Sequence, residues 1–161
     1  WDKAVPEARR GLPEAASLRI RHPCGGDPER VLAAYRSAGV AEERLEVARF
    51  FPNAAELMAR SAVAISRAGA LTLAEAAGYG VGPILVPHPH ADGPQLFNAK
   101  RHAAALGSPI VEEGPDLPAR LRTALKEALA VPPPTVRRLT SINPAAEIAD
   151  VIRDELRRPA G

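Results

Sequence analysis

The chain has 161 residues, of which 46% are hydrophobic and 25% are charged, and this length suits one domain with one core. Its 21 basic and 19 acidic residues leave a formal net charge of +2, so the charge gives no indication of a nucleic-acid partner. Cys24 is the only cysteine and no run of about 18 apolar residues occurs, which excludes an internal disulfide and predicts no membrane-spanning helix.

Strands and helices are predicted to alternate along the whole chain. The predicted strands cover residues 17–22, 45–50, 62–66, 83–87 and 109–112. The predicted helices cover residues 2–16, 28–38, 54–58, 96–106, 117–130 and 145–156, and another begins near residue 70. Asp27 and Asn53 are expected to cap the helices that follow them, and the prolines at 132–134 form a stiff break before the last helix.

Alternating strands and helices at this spacing predict an α/β fold with an open, doubly wound parallel sheet. Ligands of such sheets bind beyond the carboxyl ends of the strands. Four loops are expected at that edge, namely residues 22–26, 51–54, 67–72 and 88–95. The sequence therefore predicts a ligand site built from these loops.

The stretch at residues 65–80 carries the first indication of the ligand. Gly69 is expected to permit a sharp turn from a buried strand into a helix that begins near Ala70. Backbone N–H groups and the positive end of the helix dipole attract an anion at such a helix start, phosphate above all. Glu75, about one turn into the helix, has a carboxylate that accepts two hydrogen bonds from a diol such as a ribose. We therefore expect a ligand with a phosphate and a ribose.

Three ordered motifs, SRAGALTLAE at 66–75, ILVPHPHAD at 84–92 and QLFNA at 95–99, resemble one family. This is the C-terminal, nucleotide-sugar-binding half of the MurG-like UDP-N-acetylglucosamine transferases, glycosyltransferases of the GT-B type. The likeness extends to IRHPCG at 20–25, FFPN at 50–53 and NPAAEIA at 143–149, so it covers nearly the whole chain. The resemblance implies one Rossmann-like domain over residues 1–161.

The resemblance also implies which residues bind the donor. The backbone of Ala70, Leu71 and Thr72 would meet the sugar and phosphates, and the Thr72 hydroxyl is available to the diphosphate. Glu75 would hold the ribose hydroxyls, Gln95 the hydroxyls of the N-acetylglucosamine ring, and Phe51 would sit at the uracil. Arg67 is a further candidate ligand of the phosphates.

The implied reaction is an inverting transfer of N-acetylglucosamine to a lipid-linked acceptor, lipid I, in peptidoglycan synthesis. It needs no cofactor and no protein-bound metal. The resemblance places the general base and the acceptor site in an N-terminal domain, so no catalytic residue is expected in this chain. It implies a cytoplasmic protein, or a peripheral one on the cytoplasmic face of the inner membrane.

Two departures from the family pattern affect these expectations. The family begins this half with a strand and a Gly-Gly-Ser-type loop, whereas this sequence starts inside the helix that follows them. We therefore expect that this chain alone does not turn over substrate. Pro94 stands where the family usually has a polar residue beside Gln95, and residues 80–83 form an unusual version of its Gly-x-Pro turn. These departures affect the prediction of sugar selectivity.

Several residues have a structural alternative to a functional role. Glu75 has the spacing of a capping box with Thr72, and the alternative for Gln95 is a bond to loop backbone only. Arg67 is as readily an ion-pair partner at a strand end as a phosphate ligand.

The histidines and the cysteine have similar alternatives. A metal site at His88, His90 and Asp92 is the less favoured interpretation of those residues. His22 is either a loop-packing or a cleft residue, and Cys24 is expected to be a small buried hydrophobe.

Two other functions remain open. One is another GT-B transferase, such as a glycolipid synthase that uses UDP-galactose or UDP-glucose. The other is a non-catalytic nucleotide-binding module.

Overall fold

A computed structural model describes residues 2–89 and 94–131. The helices are α1 (Ala4–Arg9), α2 (Pro28–Ser37), α3 (Ala54–Ala59), α4 (Ala70–Gly78), α5 (Pro94–Leu106) and α6 (Leu117–Leu129). The strands are β1 (Ile20–Pro23), β2 (Leu45–Ala48), β3 (Ile65–Ser66) and β4 (Ile84–Leu85), and a 3₁₀ turn precedes β2 at Glu42–Arg44. None of the helices in the described ranges is long and apolar enough to cross a membrane. The prolines at 132–134 and the helix predicted at 145–156 lie outside the described residues.

All strand pairs among the described residues are parallel, which confirms the predicted α/β fold class. In the pair β1–β2, Ile20 lies opposite Leu45, and in the pair β3–β4, Ile65 lies opposite Ile84. The strand predicted at 109–112 is reduced to one bridge, between Leu85 and Ile110. The described residues therefore form two separate parallel pairs instead of one continuous sheet.

The largest core lies where α1 and α6 pack against β4. Leu121 of α6 is fully buried there, together with Ala8 of α1 and Val86 after β4. Arg122 fastens the two helices, since its guanidinium donates to the carbonyl oxygens of Glu7 and Ala8 at 3.0 and 3.2 Å. Because α1 and α6 are far apart in sequence, this core forms only when the two ends of the described chain come together.

Two smaller cores lie against the strand pairs. Cys24, Val31 and Tyr35 pack together beside β1 and β2, and Cys24 is only 2% exposed, which confirms the expectation of a buried thiol. Ala68 and Leu73 pack with Leu85 and Ala99 in a core that joins α4 and α5 to β4. This packing fixes the start of both helices relative to the end of β4.

Several predicted element bounds are wrong. The helix predicted at 2–16 ends at Arg9, because Gly11 adopts a left-handed conformation with φ of 77° and Pro13 follows it. The strand predicted at 17–22 begins only at Ile20, since a turn extends to Ser17 and the pairing with β2 starts at Ile20. The helix predicted from residue 96 begins at Pro94, a residue whose fixed φ suits the first helical position.

The two predicted caps have different outcomes. The Asp27 carboxylate accepts a hydrogen bond from the Glu29 N–H at 3.1 Å, and Pro28 opens α2, as predicted. Asn53 occupies the capping position of α3, but its side chain makes no capping hydrogen bond, so that prediction is wrong for the side chain. The backbone at Asn53, with φ of −116° and ψ of 37°, is not the extended conformation typical of a capping residue.

Candidate functional site

The carboxyl ends of β3 and β4 lie side by side, because the two strands are parallel and in register at Ser66 and Leu85. Helix α4 starts four residues after β3, and α5 follows the loop after β4. The cluster of Ala68, Leu73, Leu85 and Ala99 holds these two helices against the strand ends. The loop at 67–72 and the described ends of the other predicted site loop, residues 88–89 and 94–95, are thus neighbours.

The N-terminus of α4 has no capping side chain within the described residues. Gly69 occupies the capping position, and the first helical bond runs from the Leu73 N–H to the Gly69 carbonyl oxygen at 3.0 Å. The N–H groups of Ala70, Leu71 and Thr72 precede that bond, so the helix itself leaves them without an acceptor. Together with the helix dipole they form a set of donors suited to a phosphate.

Gly69 adopts an ordinary extended conformation, with φ of −69° and ψ of 136°, which any residue can adopt. Helix α4 does begin at Ala70 as predicted, but the turn at Gly69 does not use the conformational freedom of glycine. Among the described residues, no atom lies within 4 Å of a Cβ built on Gly69, so their packing does not require glycine either. Gly69 therefore leaves open space in front of the start of α4 among the described residues.

The side chains of α4 separate into buried and outward-facing sets. Leu73 and Ala76 are buried, whereas Leu71 is 75% exposed and Glu75 is also exposed. Because residues four apart share a helix face, Leu71 and Glu75 lie on one side of α4. Glu75 is thus outside the packed core, on the first turns of the helix.

The capping-box alternative for Glu75 is wrong. It needed Thr72 at the capping position, but Gly69 occupies that position and Thr72 is the third residue of α4. Thr72 itself is half-buried. Glu75 lies a further three residues into the helix, beyond the reach of a capping box.

Gln95 lies on the first turn of α5 and is half-buried. Its side-chain oxygen accepts a hydrogen bond from the His88 N–H at 2.9 Å. Asn98, one turn later, donates to the Ala68 carbonyl oxygen at 3.3 Å. Gln95 therefore makes the loop-backbone bond that was its structural alternative, and its contact with a sugar hydroxyl stays a prediction.

Arg67, directly after β3, makes a bidentate ion pair with Glu113. Its two terminal nitrogens lie 2.9 and 3.2 Å from the two carboxylate oxygens, and one of them also donates to the Val86 carbonyl oxygen at 3.0 Å. The hydrogen bond from Arg67 lowers the pKa of Glu113 below its ordinary value. The ion-pair interpretation of Arg67 is therefore correct, and its contact with phosphate stays a prediction.

Glu113 is not among the site residues predicted from the sequence. Its position after the predicted strand at 109–112 is the signal that could have found it, because the loop that follows the strand lies at the ligand edge of the sheet.

The two phenylalanines after β2 differ sharply in exposure. Phe51 is 7% exposed, whereas Phe50 is 75% exposed. With its ring buried, Phe51 can offer a ligand mainly its backbone, and its place at a uracil stays a prediction.

His22 lies in a packed polar cluster beside the end of β1. It is 5% exposed, its Nδ1 lies 2.9 Å from the Tyr35 hydroxyl, and its Nε2 lies 3.6 Å from an Asp2 carboxylate oxygen. Burial lowers the pKa of His22, and Asp2 opposes that shift in part. Burial also raises the pKa of Tyr35, which keeps its hydroxyl protonated. His22 therefore packs against its neighbours instead of lining a cleft.

The described residues hold no group of three His, Cys, Asp or Glu side chains suited to a metal ion. The less favoured metal candidate included His90 and Asp92, which lie outside the described ranges.

Comparison with known proteins gives one consistent result. The model of the glycosyltransferase family 28 C-terminal domain matches residues 2–152. A Bartonella henselae protein is 38% identical over 135 residues, which cover 82% of this chain and 35% of that protein. A Marinobacter nauticus protein is 36% identical over 129 residues, or 79% of this chain and 35% of that protein. Both are named UDP-N-acetylglucosamine--N-acetylmuramyl-(pentapeptide) pyrophosphoryl-undecaprenol N-acetylglucosamine transferase.

The crystal structure of Acinetobacter baumannii MurG superposes with a TM-score of 0.65 at 28% identity, covering 94% of this chain and 49% of that chain. This chain thus spans about a third of the length of the curated relatives named above, 35% in each case. The family match extends over most of the sequence, well beyond the three motifs at the ligand edge. This chain belongs to the glycosyltransferase family 28 C-terminal domain family.

Proposed function

We propose that this chain is the donor-binding half of a glycosyltransferase that uses UDP-N-acetylglucosamine. The whole enzyme transfers N-acetylglucosamine to undecaprenyl-pyrophosphoryl-MurNAc-pentapeptide, the reaction that converts lipid I to lipid II. The general base and the acceptor site belong to the remainder of the enzyme, so this chain alone binds the donor without turnover. The enzyme acts in the cytoplasm or at the cytoplasmic face of the inner membrane.

The uncapped start of α4 carries this proposal. Its first N–H groups have no capping side chain, and Gly69 leaves open space in front of them. A diphosphate fills this space and accepts hydrogen bonds from the backbone of Ala70, Leu71 and Thr72. Glu75, exposed on the following turn, accepts hydrogen bonds from the ribose hydroxyls.

Two matched glycine substitutions, one at each end of α4, test the diphosphate contact. Gly69→Ala should fold normally, because its backbone conformation suits alanine and the added methyl group meets no protein atom within 4 Å. The methyl group occupies space reserved for the diphosphate, so UDP should bind roughly tenfold or more weakly, about 1.4 kcal/mol or more. Gly78→Ala, at the other end of the same helix and also in open space, should leave UDP affinity unchanged. Calorimetric titration with UDP measures both, and equal affinities for the two variants would refute the proposed diphosphate site.

The ribose contact needs a ligand that lacks one hydroxyl. Glu75→Ala should weaken binding of UDP roughly tenfold or more, since a hydrogen bond to a charged group contributes about 1.5–3 kcal/mol. It should weaken binding of 2′-deoxy-UDP far less, because that ligand cannot make the full diol contact. An equal loss for both ligands would place Glu75 away from the ribose.

Pro94 supports a second candidate donor. It stands where the family usually has a polar residue, and in the structure it is the first residue of α5, beside Gln95. A proline side chain offers no hydrogen bond to a sugar hydroxyl. Competition of UDP-N-acetylglucosamine with UDP-galactose and UDP-glucose for the same site separates the two candidates. Preference for either hexose over the N-acetyl sugar would favour a glycolipid synthase.

A further inference from the structure

We propose that Glu113 is a positioning residue for the donor site and acts through Arg67, fixing the guanidinium where it meets the diphosphate. This inference rests on the proposed function, because it assumes that the ligand carries phosphates at the carboxyl edge of β3. Glu113 would not touch the ligand itself.

The geometry of the pair favours positioning. Both Glu113 oxygens engage separate nitrogens of Arg67, at 2.9 and 3.2 Å, so the plane of the guanidinium is fixed as well as its distance. A third bond, to the Val86 carbonyl oxygen at 3.0 Å, holds the same group from the end of β4. Two-pronged pairs of this kind add geometric specificity that a single charge contact lacks.

The place of Arg67 in the chain connects the pair to the ligand edge. Arg67 follows β3 directly and precedes Ala68, which is fully buried, and Gly69, the capping residue of α4. The side chains of Arg67 and Glu113 are 30% and 23% exposed, so the pair lies at the surface of this edge and not in the core. Arg67 and the start of α4 thus share the carboxyl edge of β3, the edge at which the proposed diphosphate would lie.

Loss of the Glu113 carboxylate has two opposing effects. Without Glu113 the Arg67 side chain keeps its bond to the Val86 carbonyl oxygen but gains rotamer freedom, which must be given up again when it contacts the ligand, and this weakens binding. Removal of a nearby negative charge strengthens the binding of an anion. The bidentate fixation seen here makes the first effect the larger one, so the sign of the change distinguishes positioning from simple charge neutralisation.

The experiment is calorimetric titration of the 161-residue chain and its variants with UDP and with uridine. Glu113→Ala should weaken UDP binding about three- to tenfold and change uridine binding by less than about twofold. Glu113→Gln keeps the chain length and one acceptor oxygen, so its loss should be smaller; it also serves as the test if Glu113→Ala fails to fold. Arg67→Ala should weaken UDP binding at least as much as Glu113→Ala. The double variant should bind UDP no more weakly than Arg67→Ala, because Glu113 acts only through Arg67.

A control removes an ion pair of the same residue types away from this edge. Arg21 and Glu46 pair across β1 and β2 at 2.8 Å, and Glu46→Ala should leave both affinities unchanged. Tighter UDP binding in Glu113→Ala, equal losses for UDP and uridine, or additive losses in the double variant would each overturn the inference. Failure of the unaltered chain to bind UDP would instead refute the proposed function, so the two results are distinguishable.

Discussion

Mild acid should destabilise the protein through two buried histidines, His22 and His102. They are 5% and 7% exposed, and burial is the main cause that lowers the pKa of each below the ordinary value of 6.5. Each Nδ1 already has a hydroxyl partner, Tyr35 at 2.9 Å for His22 and Ser108 at 2.8 Å for His102. Protonation would bring a charge into these sites.

The sign and size of the change in the free energy of unfolding follow from the number of protons that the folded and unfolded states bind. With a lowered pKa in the folded state, the unfolded chain binds more protons below pH 6.5, so the free energy of unfolding falls as the pH falls. Each histidine contributes at most about 1.4 kcal/mol per pH unit, and two together about twice that. Such a loss is a large share of the about 5–15 kcal/mol that stabilises a typical domain. The loss of stability is absent well above pH 6.5 and grows on acidification until the folded-state pKa values are reached.

Urea unfolding followed by circular dichroism at pH 7.5, 6.5 and 5.5 and constant ionic strength measures this dependence. His22→Asn and His102→Asn each remove a titrating ring and keep a polar group for the neighbouring hydroxyl, so each should flatten the dependence, and the double variant should flatten it most. The lowered pKa of Glu113 adds a loss only as the pH falls below its ordinary value of 4.5, outside this range. An unchanged pH dependence in the double variant would refute the assignment to these histidines.

Two other predictions concern stability alone. Gly82→Ala should cost about 1–3 kcal/mol in urea unfolding, since a Cβ there would lie 2.9 Å from the Leu106 carbonyl oxygen, and Gly25→Ala, in open space, should cost less than about 0.5. Asp27→Ala should cost about 1 kcal/mol because it removes the observed cap of α2, and the same cost for Asn53→Ala would contradict this, as Asn53 makes no capping bond.

The fold class was predictable from the sequence because it depends on local patterns. Short apolar runs separated by amphipathic stretches and glycine or proline turns indicate strands and helices in alternation, and parallel pairing follows from that order. Strand length was not predictable in this way. The apolar run at 83–87 is buried and residues 63–66 of the other run are half-buried, yet only Ile65–Ser66 and Ile84–Leu85 form paired strand. Apolar composition does not define strand length, because strand assignment depends on a hydrogen-bonding neighbour.

In the candidate site, too, the features that depend on local sequence were predictable and those that depend on tertiary contacts were not. The start of α4 was predictable, since a glycine followed by a helical pattern lies within ten residues of sequence. The structural role of Gly69 was not predictable, because only the coordinates reveal that its φ is ordinary and that the space beside it is open among the described residues. The side-chain bond between Gln95 and the His88 backbone depends on how α5 turns back onto the loop after β4, which residue types alone do not define.

The partner of Arg67 was beyond sequence reasoning for a geometric reason. Arg67 and Glu113 are 46 residues apart and follow two different strands, with the end of β4 between them. Adjacent strands are about 4.8 Å apart, so a side chain that crosses one strand to reach the next must be long, and its partner must also extend toward it. Arginine and glutamate together meet this requirement, and the arginine passes the Val86 carbonyl oxygen on the way and bonds to it. The pair therefore depends on strand order and on the length of both side chains. A shorter acid at position 113 would not replace Glu113, and the pairing is evident only once the order of the strands is known.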